Sequence, residues 1–332
     1  MSLLDLTTLP GLGQRALILL AAIALDAAIG DPDWLWDRVK HPVVHIGNLI
    51  GWGDRTLNKG SPSQRRWTGW AAIIGLITAF AGLAAALSAI LGTNVLGLAI
   101  ETLLVAILLA GRSLYDHVKA VADALKNEGL PAARSAVSRI VGRDPEQLDE
   151  SGIARGAIES TAENFADGVV APAFWFLVAG LPGIVAYKVI NTADSMIGHR
   201  TDRHKDFGYA AARIDDFANL LPARLSGLYI AAGAAIAGYS LSDSLRTMWR
   251  DARKHASPNA GRPETAMAGA LGIALAGPRR YAEYTSTDPW LNDTGRKDTN
   301  ADDIFSALAI MRNASIVQWI VIALIAVIAL PV

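Results

Sequence analysis

The stretch WTGWAAIIGLITAFAGLAAALSAIL, residues 67–91, decides the class of this fold. Its 25 residues carry no charge, and a helix of that length reaches roughly 37 Å, enough to cross about 30 Å of hydrocarbon with some tilt. The composition agrees, because 52% of the 332 residues are hydrophobic and 18% are charged, a balance that is rare in water-soluble domains of this length. The sequence therefore predicts an integral membrane protein.

Three further stretches have the length and composition of membrane spans. Residues 314–332 carry no charge, residues 95–110 are interrupted only by Glu101, and residues 16–29 contain one acid, Asp26. A secretory signal peptide would need a basic leader and a clean small-residue cleavage site, whereas this N-terminus has one arginine before its apolar run. We therefore predict that residues 16–29 form a retained first helix.

Residues 169–190 are apolar and long enough to cross, but Gly180-Leu181-Pro182-Gly183 divides them. Such a cluster of glycine and proline favours a turn, and residues 169–179 alone reach only about 17 Å as a helix. Irregular backbone is tolerated at membrane depth where protein buries it. The sequence predicts a re-entrant helical hairpin that returns Asn191 to the side that Asp167 left, and an ordinary kinked crossing is the alternative.

Two weaker apolar stretches, residues 225–241 and 266–276, are either a crossing pair or two interfacial helices. The basic residues between them favour the cytoplasmic side. The predicted fold is an all-α polytopic integral membrane protein with a re-entrant helical hairpin and helical cytoplasmic loops. We expect a single integral-membrane domain over residues 1–332, within which residues 111–168 form a helical cytoplasmic excursion.

The distribution of Lys and Arg predicts the orientation. Six lie in residues 30–66 and seven in residues 111–168, whereas none lies in residues 92–94 or after Arg312. The positive-inside rule places the main polar loops in the cytoplasm, with the chain in the cell (inner) membrane. A net charge of -1 without a basic run argues against nucleic acid as a partner. The absence of cysteine excludes a disulfide scaffold, a Cys-zinc site and a thiol nucleophile.

Acidic residues recur every four positions at Glu159, Glu163 and Asp167, directly before the predicted hairpin. If the segment is helical they share one face, with Arg155 one turn earlier as an ion-pair partner for Glu159. Such crowded carboxylates suit a Mg²⁺ ion bound together with a phosphate. A solvated acidic face is the alternative.

A second polar group follows the hairpin. Asn191 and Asp194 lie one helical turn apart, Lys188 falls on the same stripe, and the combination suits a cation and a phosphate. Helix capping by Asn191 with a snorkelling Lys188 is the alternative.

A third group, residues 213–224, contains two adjacent acids flanked by Arg213 and Arg224. On a helix Asp216 shares a face with Asn219, whereas Asp215 points elsewhere and is available to cap a helix or to pair with Arg213. An ordinary surface pair of acids is equally consistent.

Other familiar sites are absent or disfavoured. His41 and His45 have a metal-ligand spacing, but Pro42 disfavours helical geometry at His41 and no third ligand is adjacent. The nearby Trp34 and Trp36 are typical of a membrane interface. The sequence has no P-loop, nucleophile elbow or dinucleotide-binding glycine pattern. Any nucleotide site must therefore be built in another way.

The ordered set of motifs resembles one family, the CobD/CbiB adenosylcobinamide-phosphate synthases of cobalamin biosynthesis. The resemblance covers most of the chain and rests on Asp26-x-x-x-Gly30-Asp31-Pro32, His41-Pro42-Val43 with Gly47, Val141-Gly142-Arg143-Asp144, Ala162-Glu163-Asn164, Asp167-Gly168-Val169-Val170-Ala171-Pro172, Leu181-Pro182-Gly183, Asn191-Thr192 with Asp194-Ser195-Met196, Phe207-Gly208, Ala212-Arg213 with Asp215-Asp216, Pro222-Ala223-Arg224, Ser257-Pro258-Asn259-Ala260-Gly261 and Ala266-Met267-Ala268-Gly269-Ala270-Leu271-Gly272. Phe165, Ala166 and His204 depart from the usual pattern, which puts substrate detail in doubt but not the class.

The resemblance implies an ATP- and Mg²⁺-dependent ligase that joins adenosylcobyric acid to (R)-1-aminopropan-2-ol O-phosphate, or to ethanolamine phosphate, through an amide bond. Its expected surroundings are the lipid bilayer and other late cobalamin-pathway enzymes. A membrane transporter or sensor for a polar or corrinoid solute is one alternative function, and a non-catalytic scaffold for corrin enzymes is another.

Amide formation of this kind needs an activated acid, a metal ion and cationic clamps. We expect the metal ligands to be Glu163, Asp167, Asp194 and Asp216. The expected substrate and phosphate contacts are Asn164, Lys188, Asn191, Arg213 and Arg224. The expected catalytic residues are Glu163, Asp167, Asp194 and His199, with His199 or one of the acids as the acceptor of the amine proton.

Overall fold

A computed structural model describes residues 10–141, 145–280 and 285–329. The motif residues Gly142, Arg143 and Asp144, and the last three residues of the predicted C-terminal span, lie outside the described residues. The helices are α1 (Leu12–Ile29), α2 (Asp33–Trp36), α3 (Pro42–Leu57), α4 (Pro62–Leu91), α5 (Val95–Leu108), α6 (Gly111–Asn127), α7 (Leu130–Val137), α8 (Glu150–Asn164), α9 (Ala171–Ile197), α10 (Tyr209–Ala218), α11 (Leu220–Ile236), α12 (Leu241–Asp251), α13 (Gly261–Leu271) and α14 (Ala301–Ala329).

The predicted all-α membrane class is confirmed. Within the described ranges, five helical runs are long and apolar enough to cross a membrane, namely Leu12–Ile29, Pro62–Leu91, Val95–Asn127, Glu150–Ile197 and Ala301–Ala329. The spans predicted at residues 16–29, 67–91 and 95–110 correspond to α1, α4 and α5. The C-terminal helix begins at Ala301, well before the predicted start at residue 314. The prediction placed the start too late because it used only the uncharged stretch, whereas the first turns of the helix carry charges.

The chain divides into two compact units, each discontinuous in sequence. The first contains Met1–Ala110, Ala171–Asn219 and Ile322–Val332, and the second contains Gly111–Val170 and Leu220–Val321. The prediction of a single membrane domain with a cytoplasmic excursion stays a prediction.

In the first unit, α3, α4, α9 and α10 share one apolar core. Two close backbone approaches hold α10 and the preceding loop in place. A Cβ on Gly208 would lie 1.6 Å from the Ile197 carbonyl oxygen, and one on Gly69 would lie 2.0 Å from that of Phe207. These positions therefore require glycine, and they bring the start of α10 onto the ends of α9 and α4.

Helix α9 is a helical hairpin, as the sequence predicted. The backbone breaks at Ala179 and at Gly180, which has a φ of 63°. A Cβ on Gly183 would lie 2.2 Å from the carbonyl oxygen of Trp175, eight residues earlier. A continuous helix separates such residues by about 12 Å, so the two arms fold back on each other. The kinked crossing is thereby excluded.

The Arg15 guanidinium holds the tip of this hairpin. It donates to the carbonyl oxygens of Leu177 and Val178, at 3.0 and 2.7 Å, and to that of Pro10 at 3.0 Å. The last carbonyls of a helix have no intrahelical donors, and such groups are costly to leave unpaired in an apolar environment. Arg15 thus satisfies the end of the first arm where the break leaves it exposed.

The second unit packs α6, α7, α8, α11, α12, α13 and most of α14 around a second apolar core. Its described part also has four two-residue strands, β1 (Leu275–Ala276), β2 (Arg279–Arg280), β3 (Thr285–Ser286) and β4 (Trp290–Leu291), paired antiparallel as β1 with β4 and β2 with β3. The expectation for residues 266–276 was wrong. Helix α13 is buried from Gly261 to Ala270 and too short to cross, so it is part of this core and neither a span nor an interfacial helix.

The even spacing predicted for the acids in residues 159–167 is interrupted. Residues Phe165–Val170 form a π-helical segment, which takes more residues per turn than an α-helix. Glu159 is buried, Glu163 is exposed, and Asp167, inside the π-helical segment, is half-buried. The three acids therefore occupy three environments and do not form one solvated face.

Candidate active site

Asp194 occupies the last turn of the second hairpin arm. The amide of Gly198 donates to the Asp194 carbonyl oxygen at 2.7 Å, closing the helix. A Cβ at position 198 would lie 2.0 Å from Asp194 Oδ1 and 2.7 Å from its carbonyl oxygen. Glycine at 198 therefore leaves the space into which the carboxylate folds.

Three charged or titratable side chains surround this carboxylate. Asp194 interacts electrostatically with Asp216, His199 and Arg213. Arg213 Nη1 lies 3.0 Å from Asp216 Oδ2, and the His199 ring nitrogen Nε2 lies 3.0 Å from the Ser195 carbonyl oxygen. The structure thus brings together four of the predicted site residues, two acids, one arginine and one histidine, at one end of the hairpin.

The loop between α9 and α10 is fixed by a second charged group. Arg203 donates to Asp54 Oδ2 from Nε and Nη2, at 2.9 and 2.6 Å, and His204 Nε2 lies 3.6 Å from Oδ1. Burial works to raise the pKa of Asp54, but hydrogen bonds from Arg203 and Asn58 outweigh it and hold that pKa below its ordinary value. The unusual His204 therefore has a place beside a buried acid of α3.

The roles expected for the two adjacent acids of α10 are exchanged. Asp216 pairs with Arg213, whereas Asn219 Nδ2 donates to Asp215 Oδ2 at 3.0 Å. The Tyr187 hydroxyl donates to Asn219 Oδ1 at 3.0 Å. Asp215 is buried and Asp216 half-exposed, so one acid joins α10 to the second hairpin arm while the other faces the Asp194 group.

Lys188 and Asn191 lie further up the same arm, and both are half-buried. Lys188 lines an apolar cavity of ≈ 220 Å³ together with residues of α3, α4 and α5. Ligand pockets for molecules of drug size usually exceed about 300 Å³, so this cavity is too small for a corrin. The role of Lys188 in binding a phosphate stays a prediction.

The other predicted site residues belong to the second unit. Asn164 Nδ2 donates to the carbonyl oxygen and hydroxyl of Ser160, at 2.9 and 3.0 Å. Glu163 and Asn164 are exposed on the last turn of α8, and Asp167 follows in the π-helical segment. Arg224, on α11, donates from Nη1 to the Leu220 carbonyl oxygen.

Glu159 and Arg155 have structural contacts. Glu159 Oε1 accepts the amide of Ala276 at 2.7 Å in the buried part of the second unit. The Arg155 guanidinium lies over the ring of Trp290, 4.9 Å from its centroid. Ala276 has a φ of 57°, so the Glu159 carboxylate holds a backbone conformation that non-glycine residues rarely adopt.

The carboxylates present suit a Mg²⁺ ion that binds together with a phosphorylated substrate. Among residues 10–141, 145–280 and 285–329, no three His, Asp or Glu side chains converge on a metal position. Asp194 and Asp216 form an acidic pair in the first unit, and Glu163 and Asp167 supply carboxylates in the second. Because Mg²⁺ often takes one or two carboxylates and completes its shell with water and phosphate oxygens, the residues fit an ion that binds with a phosphorylated substrate.

The sequence analysis predicted no role for Gly198, Tyr187 or Tyr209. Tyr209 contacts two cations, with the guanidinium carbons of Arg66 and Arg213 at 4.6 and 5.6 Å from its ring centroid. The only available signal was the position of these residues among the polar motifs. The Gly198 contact is local to the hairpin arm, whereas Tyr187 contacts Asn219 and Tyr209 contacts Arg66, residues that only the folded packing brings near.

Comparisons with known proteins place this site in a family. The profile of the CobD/CbiB protein family matches residues 19–311. The chain is 52% identical over 317 residues to the cobalamin biosynthesis protein CobD of Brucella suis, covering 93% of this chain and 96% of that protein. It is 49% identical over 313 residues to the CobD protein of Rhodobacter capsulatus, covering 94% and 98%. No solved structure matches. The chain belongs to the CobD/CbiB family of cobalamin biosynthesis proteins.

Proposed function

We propose that this protein is the ATP-dependent ligase that joins adenosylcobyric acid to aminopropanol phosphate, or to ethanolamine phosphate. The family's place in cobalamin biosynthesis supports the pathway. The observation that carries the chemistry is the group of Asp194, Asp216, Arg213 and His199 at the end of the hairpin. Acids beside an arginine and a titratable imidazole are what phosphoryl transfer followed by amine attack requires.

The proposed reaction has two balanced steps. A carboxylate oxygen of the corrin substrate attacks the γ-phosphorus of ATP, forming an acyl phosphate and releasing ADP. The amine then attacks the acyl carbon, the C–O bond to phosphate breaks, and inorganic phosphate leaves as the amine loses its proton. His199 or a neighbouring carboxylate accepts that proton.

Each group of residues contributes binding or orientation in this proposal. Arg213, Lys188 and Arg224 neutralise phosphate oxygens, and Asn164 and Asn191 orient the substrates. A magnesium ion would be held by Asp194 and Asp216, and the metal-binding role expected for Glu163 and Asp167 stays a prediction. When bound, the ion neutralises charge on the transferred phosphoryl group. The amphipathic corrin approaches from the membrane surface, which explains the placement of this chemistry on a membrane protein.

The decisive experiment uses the purified full chain in detergent with adenosylcobyric acid, aminopropanol phosphate, ATP and Mg²⁺. Amide product and ADP should appear in equal amounts by mass spectrometry and coupled assay. Asp194→Asn should abolish both. The matched control is Asp202→Asn, because Asp202 is a fully exposed acid paired with Lys205. Bound corrin without product in the wild type would reject the ligase and favour a carrier or scaffold.

We also propose that the polar loops face the cytoplasm. The chain has no cysteine, so single substitutions give labelling without background. A membrane-impermeant maleimide applied to intact spheroplasts should label Asn94→Cys and not Lys59→Cys. Labelling of Lys59→Cys but not of Asn94→Cys would show the opposite orientation.

A further inference from the structure

Three arginines come close together in the second unit. Arg262, at the start of α13, interacts electrostatically with Arg224 of α11 and with Arg253 in the short turn after α12. Burial, followed by the charges of Arg224 and Arg253, lowers the pKa of Arg262. Arg262 is buried, whereas Arg224 is half-buried and Arg253 is exposed. The two neighbouring charges therefore repel a guanidinium that is largely removed from water, and a bound anion would offset that repulsion.

Arg262 is the centre of the group. Its side chain is 8% exposed, and its Nη1 has no hydrogen-bond partner among the described residues. A buried guanidinium donor without an acceptor is expensive and uncommon. Its guanidinium carbon lies over the exposed ring of Trp249, 4.9 Å from the centroid. One face of the Arg262 guanidinium is therefore covered by an aromatic ring, while its Nη1 lacks a hydrogen-bond acceptor among the described residues.

Two glycines produce this convergence. A Cβ on Gly261 would lie 2.4 Å from the Ala252 carbonyl oxygen, so the turn that carries Arg253 packs directly against the start of α13. A Cβ on Gly227 would lie 3.3 Å from the Arg262 carbonyl oxygen. Arg224 lies nearly one turn before Gly227 on α11 and so faces the same segment. The backbone is thus built to bring the three arginines together.

The acids nearby already have basic partners. Asp251, whose side chain is fully buried, lies 2.7 Å from Arg250 Nη2 and 2.9 Å from Lys254 Nζ. Glu264 Oε1 lies 3.4 Å from His255 Nε2. Within the part of the chain that the structure describes, these two acids are thus engaged by Arg250, Lys254 and His255.

We infer that Arg224, Arg253 and Arg262 form a binding site for a phosphate ester. Arginine donors match phosphate oxygens in geometry and charge, and a bound phosphate would supply the acceptor that Arg262 Nη1 lacks. The ester belongs either to a small phosphorylated substrate or to the headgroup of an anionic phospholipid. This deepens the proposed function, on which it rests only for the choice of soluble probe.

The test measures binding without turnover, using the full chain in detergent and no ATP. Isothermal titration calorimetry with aminopropanol phosphate, and separately with inorganic phosphate, gives the soluble arm. Native mass spectrometry after exchange into nanodiscs containing phosphatidylglycerol gives the lipid arm. Arg262→Gln and Arg224→Gln should weaken binding roughly 10- to 100-fold in one of these two measurements, as expected for loss of a charged hydrogen-bonding partner.

Arg246→Gln is the matched control, because Arg246 lies on α12, is exposed and pairs with Asp243 at 3.2 Å. It should bind like the wild type. Size-exclusion profiles verify folding, and if Arg262→Gln fails to fold, Arg224→Gln and the exposed Arg253→Gln decide. Loss of soluble phosphate binding identifies a substrate site, and loss of retained lipid identifies a headgroup site.

Equal binding by all variants in both arms would overturn the inference. Absence of any binding in the wild type would do the same. Phosphate binding that depends on Arg262 in a protein without ligase activity would reject the proposed function but not this site. Ligase activity with binding indifferent to the three arginines would reject the site alone.

Discussion

Gly198→Ala should remove most activity and disturb only the last turn of the second hairpin arm, where the new Cβ would also lie 2.7 Å from the Asp194 carbonyl oxygen. A Cβ at position 198 would lie 2.0 Å from Asp194 Oδ1, whereas ordinary Cβ contacts stay beyond 3.0 Å. The carboxylate must therefore move by about 1 Å or adopt another rotamer, which costs roughly 0.5–1.5 kcal/mol. Misplacing a catalytic group by about 1 Å costs on the order of 10²-fold in rate, or about 2.7 kcal/mol of transition-state stabilisation. We expect kcat/KM to fall by that factor.

The assay is amide formation followed by mass spectrometry, with thermal unfolding in detergent measured in parallel. The control is Gly82→Ala in α4, where a new Cβ meets nothing within 4 Å. Replacing an exposed helical glycine by alanine should raise stability by up to about 1 kcal/mol without affecting activity. If Gly198→Ala keeps full activity while Asp194→Asn is inactive, the position of the Asp194 carboxylate does not depend on the space at residue 198, and our reasoning fails.

Three further predictions concern stability, each measured by thermal unfolding. Tyr187→Phe should cost about 1 kcal/mol, because it removes the donor to buried Asn219 Oδ1; an unchanged midpoint would contradict this. Glu159→Ala should cost about 1–3 kcal/mol by leaving the Ala276 amide without its acceptor, whereas Glu159→Gln, which keeps an oxygen, should be milder. Burial works to raise the pKa of Asp251, but hydrogen bonds from its two basic partners dominate and lower it to about 2. The resulting stabilisation of the folded state, about 2 kcal/mol, is present above pH 4 and lost as the pH falls through 2. Asp251→Asn should therefore differ from the wild type at pH 7 and converge with it in acid, and a constant difference would refute this assignment.

Local patterns in the sequence predicted the membrane class and the hairpin because both depend on short-range chemistry. Residues 67–91 have no charge, and a Gly-Leu-Pro-Gly cluster breaks a helix wherever it lies. The π-helical segment was not predicted, since nothing in the composition of Phe165–Val170 distinguishes it from an α-helix. That segment alone removes Asp167 from the four-residue spacing.

Side-chain partners were harder to predict because they depend on packing between distant segments. The exchange of roles between Asp215 and Asp216 follows from which face of α10 meets the hairpin, where Tyr187 supplies the buried donor. The arginine group depends on two close approaches, at Gly227 and Gly261, between segments that are distant in sequence. Helical periodicity gives directions within one helix, but it does not specify which helices meet.

The depth of the hairpin follows from its contacts with α4. Its tip and Ser88 line one cavity near the C-terminal end of α4, whereas Gly69, near the N-terminal end, packs on Phe207 beside the Asp194 group. Gly69 and Ser88 are separated by 19 residue steps, which correspond to about 28 Å of helix, close to the hydrocarbon thickness. The second hairpin arm therefore reaches from one end of the α4 crossing to the other. Asp194 lies at the end of α4 that carries Arg65 and Arg66, and the positive-inside rule predicts that this end faces the cytoplasm, where ATP is available.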